Sequence, residues 1–290
     1  LFQNRQISYK FQQMKVYGFP ISSRSTAVCV ALDACGLEYE SQWCTMEESK
    51  SEKILQLNPQ GKLPILETPQ GAIYETVAII RHAARLTKRL GGENEHEQAL
   101  VDQWLSWLNS EVASTLGHFA YQTYGFDFPS LSYKHDDVVK GKEAFLRQMD
   151  LLNKHLEGKK AVVGSAYTIA DYFIAVMIYQ ALAFCFGTAE RAKIPNVVAL
   201  IEGVGQTPAF AKWYGRVRWV ETGLTVPQQA KKEKAPAPKK EQAPAKPKED
   251  KPKKAAKEEE EDLEKPVKKE EPKFPDTQLN LMTFKTFFIN

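Results

Sequence analysis

Between Thr168 and Phe186 the chain reads TIADYFIAVMIYQALAFCF, with one acidic residue near its start and apolar side chains on almost every side of a helical wheel. Such a helix has no polar stripe to show to water, so other elements must wrap it. No stretch of the chain reaches the roughly 20 consecutive apolar residues that a membrane span needs, so no membrane span is expected and the wrap should be protein. The flanking sequence supplies it. Val101, Trp104, Leu105, Leu108 and Val112, and later Phe145, Met149, Leu152 and Leu156, recur at steps of three and four, the spacing of helices that are apolar on one face. NVVALIEGV and PAFAKWYGRVRWV read as closing helices. An all-helical unit is therefore expected over residues 97–225.

Upstream of GGENEHE the periodicity changes. MKVYGF reads as a strand, SSRSTAVCVALDACG as a buried helix stopped by Gly36, and LEYESQW as a second strand. SEKILQLNP gives a short helix or turn, LPILET a third strand, PQG a tight turn and AIY a fourth strand. TVAIIRHAARLTKRLGG is then a helix with a glycine stop. This order predicts a small α/β sandwich over residues 14–92. Pro64 cannot donate to a sheet ladder, so it should stand at a strand edge or a special bend. Glu75 and Thr76 mark a helix start. Tyr17 reads as packing, His82 as a polar-face or interface residue, and Trp104, Trp107, Trp213 and Trp219 as core and seam.

The charge sits outside these units. Of the formal +3, residues 231–273 supply all, with 15 lysines against 12 acids. A neutral globular part gives no electrostatic argument for nucleic-acid binding. Residues 228–273 are Lys, Glu, Pro and Ala without an aromatic, too polar to offset ordering entropy, and are expected to be a disordered charged linker. Its basic half precedes its acidic half, so it is either a solvated spacer or a weak, salt-dependent contact with RNA or another anionic surface. Residues 274–290 turn apolar again, as the truncated start of a further domain would. Residues 1–13 lack the apolar run of a signal peptide and read as an extension outside the fold, expected to be disordered and either native or artefactual. The cysteines, Cys29, Cys35, Cys44 and Cys185, show neither CxxC nor metal spacing with histidine, which argues against a zinc site and a disulfide framework and suits a reduced, cytoplasmic protein.

Taken together, the strand, the serine-rich turn and helix, NPQGKLPIL, ETVAI and the helical GSAYTIADYFIA resemble the cytosolic glutathione transferases over about Met14 to Gly223. The resemblance implies a thioredoxin-like α/β domain followed by an all-α domain. It implies a cis bond at Pro64, turning the backbone of Leu63 toward the cysteinyl part of glutathione. It implies that Glu75 and Thr76 receive the γ-glutamyl end and that Lys62 meets the other carboxylate. Read singly, Thr76 is an N-cap and Lys62 a surface lysine. Thr168 and Asp171 match the family's S/T-x-x-D capping box, which is fold evidence and not catalysis. In serine-type classes a hydroxyl at the first helix's start donates to the glutathione sulfur. Ser22 or Ser23 could serve, and either could equally be that helix's N-cap.

The charged stretch and the closing PDTQLNLMTFKTFFIN resemble a second family, the gamma subunits of eukaryotic translation elongation factor 1. That resemblance implies a non-catalytic scaffold that requires no cofactor and anchors a guanine nucleotide exchange subunit. A homodimer and an aminoacyl-tRNA synthetase are further partners it admits. The alternative is an active glutathione transferase conjugating glutathione to electrophiles.

Overall fold

The structure, a computed structural model, describes residues 14–125 and 134–225. The expectations for residues 1–13, 228–273 and 274–290 fall outside the described residues. The first unit runs β1 (Met14–Gly18), α1 (Ser23–Cys35), β2 (Tyr39–Trp43), α2 (Glu52–Leu57), β3 (Ile65–Thr68), β4 (Gly71–Tyr74) and α3 (Thr76–Thr87). Its sheet has the order β2-β1-β3-β4, parallel between β1 and β2 and antiparallel elsewhere. Because strand side chains alternate, Val16 and Leu66 face the main core under α1 and α3, while Tyr17 and Ile65 face a second cluster with Cys44 and Ile54 of α2. Both faces are thus covered.

The helical unit follows as α4 (Glu95–Trp107), a π-helical turn (Leu108–Val112), α5 (Ala113–His118), α6 (Ala120–Thr123), α7 (His135–His155), α8 (Ile169–Cys185), α9 (Thr188–Arg191), α10 (Pro195–Gly205) and α11 (Pro208–Tyr214). Every residue of α8 is buried, as its all-round apolar sequence requires. Its start is closed by the capping box: Thr168 Oγ1 accepts from the Ala170 N–H, and Asp171 Oδ2 accepts from the Thr168 N–H at 2.7 Å. Asp171 Oδ1 also takes the Val162 N–H at 2.8 Å, which ties in the preceding loop. Burial lifts the Asp171 carboxyl to about 6, against the pull of these bonds.

Two helix ends differ from the expectation. α3 stops at Thr87, before Gly91, because Lys88 takes the left-handed conformation (φ 54°) and the Arg89 N–H closes on the Ala84 carbonyl. The Leu90 carbonyl is then engaged by the Ile169 N–H at 2.9 Å. α11 ends at Tyr214, and RVRWV is not helical: Gly215 turns the chain at φ 65°, and residues 216–225 return as a strap along the C-terminal half of α8. Arg191 clasps it. The guanidinium donates to the Leu182 and Phe186 carbonyls at the end of α8 and to the Val220 carbonyl of the strap, and lies over the Trp219 ring.

Candidate functional site at the carboxyl end of β1

The sheet register decides which loops meet. Tyr17 pairs with Ile65 and Ile65 with Tyr74. These pairings set the carboxyl end of β1, the start of β3 and the end of β4 side by side. The start of α1, the Lys62–Pro64 bend and the Glu75–Thr76 corner therefore converge at one end of the sheet. Gly18 permits the approach, since a Cβ there would lie 2.8 Å from the Ser25 Cβ.

The Leu63–Pro64 bond is cis, and the β1–β3 ladder begins only at Ile65, so Leu63 sits at the bend just outside it. Asn58 shapes this bend, and sequence reasoning missed it. Buried itself, it donates from Nδ2 to the Lys62 carbonyl at 2.8 Å, while its own carbonyl accepts from the Gly61 N–H. The signal was present in NPQG, whose Asn is suited to bonding its own turn. Lys62 is exposed.

Glu75 is the exposed residue just before α3, at φ 71° and ψ 116°, a backbone setting uncommon for a side chain with a Cβ. Thr76 is the first residue of α3 and is buried, so it is not the N-cap.

The two serines separate. Ser22 is the N-cap of α1: its Oγ accepts the Ser25 N–H at a long 3.4 Å, its carbonyl receives the Thr26 N–H at 2.9 Å, and no acid occupies the helix's first turn. Ser23 is buried and donates from Oγ to Gln180 Oε1 of α8 at 3.0 Å, which commits it to the seam between the units. A hydroxyl carries one proton to donate, and among the described residues the Ser22 hydroxyl donates to no partner. Arg24, next in line, donates from Nη1 to Asn109 Oδ1 in the π-helical turn at 2.8 Å. Neither Gln180 nor Asn109 could have been found from local sequence, since each acts across the seam.

Other candidates resolve as structure. Tyr17 is buried and its hydroxyl donates to Glu67 at 2.7 Å. Trp104 is buried in the core, and Trp213 joins the seam by donating to Asp33. Burial lowers the pKa of His82. All four cysteines are buried, and burial pushes Cys29 and Cys185 up to about 12. A cavity of about 660 Å³ lies between the α3–α4 connection and residues 163–169, away from this convergence of loops.

Family models for the glutathione S-transferase N-terminal domain and C-terminal domain match residues 16–89 and 112–208, together more than half of the chain. The chain belongs to the glutathione S-transferase family. Within that family it is 31% identical over 190 residues to elongation factor 1-gamma 1 of Oryza sativa subsp. japonica, a match covering 65% of this chain and 44% of the relative. It is 26% identical over 194 residues to glutathione S-transferase stcT of Emericella nidulans, covering 67% and 87%. The structure of the GST-like domain of elongation factor 1-gamma from Saccharomyces cerevisiae superposes with a TM-score of 0.62 at 20% identity, covering 74% of this chain and 99% of that one. This chain thus spans less than half the length of the elongation factor relative. Among the described residues no helix is long and apolar enough to cross a membrane.

Proposed function

We propose that the chain is a scaffold subunit of the translation elongation factor 1 complex, its transferase-like module anchoring the guanine nucleotide exchange subunit without chemistry of its own. The observation that carries this reading is the 31% identity to elongation factor 1-gamma over 190 residues, more than either unit of the fold holds alone. The Lys/Glu/Pro/Ala stretch after residue 228 supports it, because a conjugating enzyme has no need of a charged tether, whereas a tether raises the effective concentration of whatever its two ends hold. Anchoring of this kind draws most of its energy from a few desolvated side chains. Affinity capture of the intact protein from cell extract, followed by mass spectrometry, tests the reading. The exchange subunit should be recovered in stoichiometric amount; recovery of the protein alone and monodisperse contradicts it.

A second reading is favoured by one specific arrangement: the convergence of an uncommitted Ser22 hydroxyl, the cis Leu63–Pro64 bend and Glu75 at one end of the sheet. On this reading the module retains a glutathione site, with Ser22 donating to the sulfur, Leu63 offering its backbone, and Lys62, Glu75 and Thr76 receiving the carboxylates. The two readings are compatible. Calorimetric titration with glutathione tests the second: saturable heat is expected, and its absence at millimolar ligand rejects the site.

A further inference from the structure

Thr76 opens α3 at the site described above, and the cavity of about 660 Å³ lies at that helix's far end, walled by α3, the connection after it, the first half of α4 and residues 163–169. Along the connection φ is positive at alternate residues, Lys88 (54°), Leu90 (61°) and Gly92 (98°), and at neither residue between them. Such settings are uncommon for a side chain with a Cβ. Alternated along a chain, they aim successive N–H groups into one concavity, which is a seat for an anion. The Arg89 N–H closes on the Ala84 carbonyl, but the half-buried Leu90, Gly91 and Gly92 N–H groups find no acceptor among the described residues. Arg85 and Lys88, three positions apart at the end of α3, line the same cavity, and neither forms an ion pair among the described residues. Two acids of the lining are already engaged. Asp102 holds Arg81, and Glu97 accepts the Glu93 N–H at 2.8 Å and lies beside Gly164, where a Cβ would stand 3.5 Å from its Oε1. The third, Glu93, is exposed, and water screens it. Two cations and three N–H groups are thus left as donors. A tetrahedral phosphoryl dianion can serve them all, having more oxygens and more charge to share than a planar carboxylate.

We propose that this cavity binds a small phosphate monoester, its phosphoryl oxygens held by Arg85, Lys88 and the N–H groups of residues 90–92, and its organic part lying against Val101, Ile169 and the Tyr167 ring. The volume has the size of a small-molecule site and exceeds what a phosphate ion fills, so the apolar wall requires an organic remainder. The ligand touches both units of the fold. The site stands apart from the scaffold and glutathione readings and depends on neither.

The test is calorimetric titration of the full chain with phenyl phosphate, inorganic phosphate and phenol. Phenyl phosphate should give saturable heat, inorganic phosphate should bind more weakly, and phenol should not bind. The double variant Arg85→Gln, Lys88→Gln should weaken phenyl phosphate by at least about tenfold, as lost charge-assisted contacts imply. Glu97→Gln, which removes a like charge and keeps an acceptor for the Glu93 N–H, should tighten it. Lys140→Gln, Lys193→Gln removes the same charge from exposed positions that do not line the cavity, and should change nothing. Absence of saturable heat at millimolar phenyl phosphate overturns the proposal. Equal losses in the two double variants also overturn it, because the attraction would then be general charge, and so does equal affinity for inorganic phosphate. Excess glutathione should leave the binding intact; competition would place the phosphate at the other end of α3 and contradict the assignment.

Discussion

At the scale of single residues, neighbouring serines carry different duties. Ser22 holds the helix start and, among the described residues, donates its hydroxyl to no partner, whereas Ser23 is spent on Gln180. Ser22→Ala should cost about 1 kcal/mol as a lost N-cap and, on the glutathione reading, return the thiol of added glutathione to its solution pKa, read by thiolate absorbance across a pH titration. Ser23→Ala should leave that titration unchanged and cost about 1–3 kcal/mol in denaturant unfolding, since it strands the buried Gln180 oxygen. The opposite pattern would reverse the assignment. Local sequence left the two serines equivalent because the deciding partner lies 157 residues away. The bend at Pro64, by contrast, was legible from the proline alone, as was the start of α8 from Thr168 and Asp171, because both depend on residues within a few positions.

At the scale of elements, the strands of the first unit and the all-round apolarity of α8 were readable because each follows from the element's own side chains. The end of α11 was not. Val217, Trp219 and Val220 continue a plausible helical pattern, but Arg191, Thr188 and Tyr179 draw residues 218–221 into a strap: the Thr188 N–H donates to the Glu221 carbonyl at 3.0 Å and the Arg218 N–H to the Tyr179 hydroxyl at 2.9 Å. Gly223 then packs so closely on Cys185 that a Cβ would lie 2.6 Å from its carbonyl carbon. Arg191→Ala should release this strap, with a stability loss of roughly 3 kcal/mol from stranded carbonyls, faster hydrogen exchange over residues 216–225 and a red-shifted Trp219 emission. Arg191→Lys should not rescue it, since a point-like ammonium cannot reach carbonyls on both elements. Unchanged exchange in Arg191→Ala would show that the clasp is idle.

At the scale of the whole molecule, the two units behave as one block. The main core cluster runs through both, Asp33 of α1 receives both Lys212 at 2.8 Å and the Trp213 ring N–H at 2.7 Å from α11, and Ser23 meets Gln180. A block of this kind suits a scaffold, because a partner that docks on it loses little free energy to domain rearrangement. Family membership follows from the fold and the matched domains, while the scaffold role asks for a partner. The most direct measurement is sedimentation velocity of the purified chain mixed with the guanine nucleotide exchange subunit of elongation factor 1. A single faster boundary at equimolar mixing, persisting in the presence of excess glutathione, is the expected result; two independent boundaries at micromolar concentrations would contradict the scaffold role.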